Sequence, residues 1–166
     1  MKSDMILNKE YKTWLADIKL KVRNAQLKAA VRVNSEMLLF YWNFGAEIVA
    51  KQSGAKWGDG LIDQLSKDLI AEFPEVKGFS RSNLMYIKKW YLFYSKTGSI
   101  VQQPVGQIAQ QGIAQIAQIP WGHNIAIISK CKKVKEAVFY VQNTLEHNWS
   151  RDVLIHQIES GLYKRE

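Results

Sequence analysis

The chain has 166 residues and a mass of 19.1 kDa, room for one domain or two small ones and for a substantial core. Its 47 % hydrophobic and 23 % charged residues exclude a disordered or fibrous chain, and no apolar run approaches the roughly 18 residues of a membrane helix. The 23 Lys and Arg against 15 Asp and Glu give a net charge of +8 and a pI near 9.5, a balance that favours polyanionic partners, nucleic acid before acidic membranes or proteins.

In chain order, Tyr11, Trp14, Leu15, Ile18 and Val22 fall on one face of an amphipathic helix. Residues 37–49 are apolar round most of the circumference and predict a central buried helix. Asn34 and Ser35 between them are only weak caps, so the reading is two helices, with one long, bent helix as the alternative. A third helix is spaced by Leu61, Ile62, Leu65, Leu69, Ile70 and Phe73 and stopped by Pro74. Ser80 is an N-cap candidate for a fourth helix over 81–96, strongly aromatic at Trp90, Tyr91, Phe93 and Tyr94.

Residues 98–119 carry no charge, seven glutamines and a repeated Gln-Ile-Ala-Gln tetrad. They predict a glutamine-rich variable loop, with a wing-like recognition loop as the alternative. Pro120 then opens a short helix to about Lys130, Val134, Val138, Val141 and Leu145 space another, and Ser150 caps a last one through Leu154, Ile158 and Leu162. No stretch alternates with period two. The expected fold is therefore all-α or nearly so, a single helical domain over residues 1–166.

Two segments share a pattern of aromatic-Ser-Arg-x-x-Leu, at Phe79 to Leu84 and at Trp149 to Leu154. They read either as two independent caps or as a duplicated helix-turn-helix half. Charge separates the copies. Net charge is +5 over residues 1–33, −3 over 34–73, +4 over 74–100, zero over 101–128 and +2 over 129–166. At 100° per residue, Leu84, Ile87, Trp90, Tyr91 and Tyr94 form the core side of the fourth helix, and Arg81, Lys88, Lys89 and Lys96 gather opposite, with Met85 and Leu92 between them and Ser82 at the edge. A helix-turn-helix sets such a helix in the major groove of DNA. The helix after Arg151 has its cation offset by Asp152 and Glu159, so the first copy is the better reader.

These residues also carry a resemblance. The strings Arg32-Val33-Asn34-Ser35-Glu36, Tyr41-Trp42-Asn43-Phe44-Gly45, Trp57-Gly58, Gly78-Phe79-Ser80 with Asn83-Leu84, Trp121-Gly122-His123-Asn124, Trp149-Ser150 and Leu162-Tyr163-Lys164-Arg165 occur in the order of the YhcG-type N-terminal domain, which the chain resembles along nearly its whole length. That family was long catalogued as a domain of unknown function. The resemblance implies a winged-helix module of bacterial proteins that precedes a PD-(D/E)xK nuclease-like domain, hence DNA binding or targeting without catalysis by these residues. In longer relatives the chain continues past the Leu-Tyr-x-Arg segment into the nuclease, whereas here it stops at Glu166.

Enzymatic readings are weak. Glu75-Val76-Lys77 is half of a PD-(D/E)xK site but follows a helix and lacks a partner aspartate. Gly58-Asp59-Gly60 lacks the ending of a phosphate loop. Cys131, the single cysteine, sits beside Lys130, Lys132 and Lys133, but a half-buried helical thiol is the simpler expectation. His123, His147 and His156 are never paired at i, i+4, and His123 is expected to brace a helix start. No enzyme, metal or other cofactor is expected, and residues 1–10 lack the order of a secretory signal, which points to the cytoplasm. Two functions remain. The first is a DNA-binding module reading with Arg81, Ser82, Met85, Lys88, Lys89 and Lys96, with Lys19, Arg23 and Lys28 as backbone contacts. The second is a homodimerisation or interaction scaffold for a nuclease partner, a homodimer through residues 10–50 being expected in either case.

Overall fold

A computed structural model describes residues 9–54, 60–95 and 113–166. The fold is all-α: α1 (Lys9–Gly54), α2 (Gly60–Glu72), α3 (Arg81–Ser95), α4 (Trp121–Lys130), α5 (Val134–His147), α6 (Arg151–Glu159) and α7 (Leu162–Arg165). No strand occurs among the described residues. The contacts divide the chain into two compact units, Met1–Val33 and Asn34–Glu166, with α1 contributing to both.

Within Met1–Val33, residues 9–33 are helical, held locally by the Asp17–Lys21 ion pair at 3.0 Å and by Tyr11 packing on Trp14. The amphipathic face is open: Trp14 is 59 % exposed and Val22 is exposed as well, while Tyr11, Leu15 and Ile18 are half-buried.

In Asn34–Glu166 the helix continues without a break. Asn34 and Ser35 do not cap a new helix because their side chains are committed elsewhere, donating to the carbonyls of Ala117 and Ile119 at 3.1–3.2 Å. Residues 37–49 are not buried all round. Leu38, Tyr41, Trp42, Gly45 and Ile48 face the core, and Met37, Leu39 and Phe40 face outward. Gly45 is required by packing, since a Cβ there would stand 2.8 Å from the Cβ of Tyr91 and 3.0 Å from the carbonyl O of Ile87. Its absence brings α1 and α3 into close contact, and Trp42 stacks edge-on against Trp90 and Tyr91 at 5.5 and 5.0 Å. On α2 the buried residues are Ile62 and Ser66, and Ile70 and, just past its end, Phe73 stay exposed.

The end of the uncharged tract is a core element. Residues 113–116 form a helical turn, and Ile116, Ala117 and Ile119 are buried. The rest of that tract, 98–112, lies outside the described residues. Asn124, itself fully buried, donates to the carbonyls of Ile116, Ile119 and Pro120 at 2.9–3.3 Å. Asn34, Ser35 and Asn124 thus satisfy backbone acceptors that burial would otherwise leave unpaired. Fully buried Tyr140 links α5 to the two helices after it, donating to the carbonyl of Gln157 at 3.4 Å and accepting from the Tyr163 N–H at 3.1 Å. Left-handed Asn148 turns the chain between α5 and α6, and left-handed Gly161 splits the last expected helix into α6 and α7.

Candidate nucleic-acid interface

The site grows from the start of α3. Ser80 caps it, its hydroxyl accepting from the Asn83 N–H at 3.2 Å and its carbonyl from the Leu84 N–H at 2.9 Å. Leu84, Ile87, Trp90 and Tyr94 then fall into the core, each with no exposed surface. Trp90 is fixed from two sides, by Trp42 and by Trp121 at 5.1 Å. Locking that side turns the other to solvent. Arg81, Ser82, Met85 and Lys89 are exposed and Lys88 half-exposed.

The outward side of α3 borders a depression of about 760 Å³. Arg81, Lys88 and Lys89 stand round it with Lys132, which arrives from the junction of α4 and α5; Met85, Leu92 and Phe93 supply apolar lining, and Ser82 and Tyr86 complete it. No carboxylate is among the lining residues. The N-terminus of α3 adds its positive dipole end to these charges. Arg81 is partly engaged, its Nε 2.6 Å from Asp63 of α2, with both side chains more than half exposed.

The structure thus gathers Arg81, Ser82, Met85, Lys88 and Lys89 on one surface. Lys96 lies outside the described residues. Lys19, Arg23 and Lys28 are exposed on α1 in the Met1–Val33 unit. Nine residues at 100° each put Lys28 about 180° round the helix from Lys19, so these three cations do not form one face. Lys132, Tyr86 and Phe93 were missed as site residues. The signal for Lys132 lay in the Lys130-Cys131-Lys132-Lys133 run, whose members part company: Lys130 pairs with Glu159 at 2.7 Å, and Cys131 is buried. The Cys131 thiol is pushed up to about 12 by burial and by the nearby Glu136 charge.

Between α2 and α3 the connection 73–80 is longer than the three or four residues of a tight helix-turn-helix. Ser66 secures it by donating to the carbonyl of Phe79 at 2.8 Å. The second copy has the same cap and anchor, with Ser150 accepting from the Val153 N–H at 3.2 Å and Leu154 fully buried. Its turn is shorter, three residues against eight.

The recurring strings turn out to be braces. Trp121 Nε1 donates to Asn83 Oδ1 at 2.7 Å, and Asn83 Nδ2 donates to the carbonyl of Gly78 at 2.7 Å and toward Tyr41 Oη at 3.5 Å. Burial raises the Tyr41 hydroxyl above its ordinary pKa, against the lowering effect of Asn83. Gly78, at φ +123°, leaves room for Tyr41, whose Oη would lie 2.5 Å from a Cβ there. His123 Nε2 lies 2.9 Å from the carbonyl of Trp149, bracing α4 against the turn before α6. Glu75 and Lys77 sit exposed in the turn after α2, and among the described residues no three His, Cys, Asp or Glu side chains are grouped to hold a metal ion.

A family model described as the DUF1016 N-terminal domain matches residues 17–165. The chain belongs to that family, the one its Tyr-Trp-Asn-Phe-Gly and Trp-Gly-His-Asn strings resemble. No curated protein and no solved structure matches it. Among the described residues no helix is long and apolar enough to cross a membrane.

Proposed function

We propose that this chain is a DNA-binding module that targets a nuclease activity residing in a separate domain or partner, in the bacterial cytoplasm. The observation that carries the reading is the concentration of Arg81, Lys88, Lys89 and Lys132 round one depression with no carboxylate in its lining. Lys88, Lys89 and Lys132 contact phosphates, and Arg81, Ser82 and Met85, near the start of α3, reach base edges. Lys19 and Arg23, about 40° apart on one side of α1, add backbone contacts of their own, and Lys28, on the opposite side, is left out of them. The winged-helix architecture belongs to the same proposal, with α2 and α3 as a helix-turn-helix whose eight-residue connection 73–80 is longer than the tight form; of the wing-like loop expected at 98–119, residues 98–112 lie outside the described residues.

Binding of a random duplex by the parent protein and by Lys88→Glu with Lys89→Glu tests this reading. The variant should lose at least about tenfold in affinity on any sequence, because each phosphate contact is sequence-independent. Equal affinities would reject the face. Catalysis is assigned elsewhere because Glu75 and Lys77 have no companion carboxylate in the turn they occupy. Plasmid incubated with the chain and magnesium or manganese should stay uncut. Cleavage that disappeared in Glu75→Ala would overturn this assignment.

A second reading, a homodimerisation or interaction scaffold, is favoured by the open apolar residues of the Met1–Val33 unit. Trp14, Leu20, Val22, Val31 and Val33 are each at least half exposed, Val33 at 69 %. The two readings are compatible, since a homodimer through residues 10–50 would suit a palindromic DNA site.

A further inference from the structure

The shape of the cationic surface bears on which form of nucleic acid it takes. A helix that reads a major groove stands out as a ridge whose side chains enter the groove. The outward side of α3 instead borders a concavity of about 760 Å³, within the roughly 300–1,000 Å³ of pockets that enclose small ligands. Met85 and Leu92 lie seven residues apart on one line of the helix, and Tyr86 and Phe93 repeat that spacing on a second line. Seven residues rise about 10.5 Å. Lys89 falls between the two lines, Arg81 and Lys88 flank the first, and Lys132 comes from outside the helix.

A surface meant only for phosphates has no use for Met85 and Tyr86, which are 43 % and 36 % exposed. Nucleotides need both features, an apolar or aromatic platform for the base and cations for its phosphates, and proteins that hold unpaired strands combine them. Four cations round an apolar strip, without one lining carboxylate, match a backbone with a charge on every residue better than the intermittent acids of a peptide. We propose that this groove takes an unpaired base, stacked on Tyr86 and Met85 with its neighbouring phosphates on Lys88, Lys89 and Lys132, so that the module favours DNA with a single-stranded overhang, flap or bubble. The inference rests on the nucleic-acid-binding reading above and narrows its substrate.

Fluorescence anisotropy with the full chain tests it on three labelled probes: a blunt duplex of about 20 base pairs, the same duplex with about six unpaired thymidines, and the same with about six abasic nucleotides, each overhang built on either strand end. Thymidines should tighten binding about tenfold over the blunt duplex, because stacking on a protein platform acts on the base, and the abasic overhang by less than about threefold, through charge alone. Tyr86→Ala, at a surface position with no part in the duplex contacts, should erase most of the thymidine gain while leaving blunt-duplex affinity and the far-ultraviolet circular dichroism unchanged. Equal gains from the two overhangs, or a thymidine gain that survives Tyr86→Ala, would overturn the groove assignment and leave duplex binding standing. If the thymidine overhang is held while the blunt duplex shows no salt-sensitive binding, the duplex reading falls and the groove stands. An acidic amphipathic peptide that displaces the thymidine overhang at lower concentration than unlabelled thymidine strand would also overturn it.

Discussion

At the scale of single residues, amide side chains tie neighbouring elements together. Asn83 joins Trp121 of α4 to the Gly78 carbonyl, so Asn83→Ala leaves an indole N–H and a carbonyl unpaired and should destabilise by about 1–3 kcal/mol in urea unfolding. Gly78→Ala meets both a left-handed φ and the Tyr41 hydroxyl, and a cost of about 1–3 kcal/mol or more is expected in the same assay. Cys131 predicts a pH dependence. Its folded pKa of about 12 stands above the ordinary 9.0, so the stability it contributes is complete below pH 9 and is lost as pH rises toward 12, where the unfolded chain releases a proton that the folded one keeps. Buried Tyr94 and Tyr140 are also raised and act in the same direction. Urea midpoints should fall above pH 9, less steeply in Cys131→Ala. The Arg81–Asp63 pair is exposed on both sides and therefore worth about 0–1 kcal/mol. A phosphate can compete with Asp63 for Arg81, and Asp63→Asn should strengthen duplex binding by about two- to fivefold in anisotropy titrations, whereas weaker binding would show that Asp63 positions Arg81 productively.

At the scale of elements, the helices were legible because each core face repeats with the helical period, as Leu84, Ile87, Trp90 and Tyr94 do on α3. The outward stripe followed by subtraction, and Arg81, Ser82, Met85, Lys88 and Lys89 do share a surface. Lys132 was not legible, because its place depends on how the α4–α5 junction meets α3, which no local period encodes. Continuity of α1 was equally hidden. Asn34 and Ser35 resemble caps, and only the distant carbonyls of Ala117 and Ile119 explain their presence inside a helix. Burial of Ile116, Ala117 and Ile119 was masked by glutamines and glycines whose composition suggests a loop. The α1–α3 contact predicts a steric test at Gly45. Gly45→Val must displace Tyr91 or the α3 backbone, costing about 1–3 kcal/mol as an overpacked core does. A thermal midpoint equal to that of the parent would contradict the contact.

At the scale of the whole molecule, the division into Met1–Val33 and Asn34–Glu166 separates two kinds of surface. The first unit has open apolar side chains on a helix, and Trp14→Glu should turn a sedimenting dimer into a monomer if a second copy covers them. The second has the packed core and the cationic depression. The net charge of +8 lets any such protein adhere to DNA at low salt, so affinity alone cannot separate a dedicated face from diffuse attraction. The slope of log K against log salt can, because each phosphate neutralised on a duplex contributes about 0.9 to it. The decisive measurement compares that slope for the parent and for Lys88→Ala with Lys89→Ala and Lys132→Ala on one random duplex. A face built from these lysines predicts a slope shallower by about 2.7, and identical slopes would contradict it.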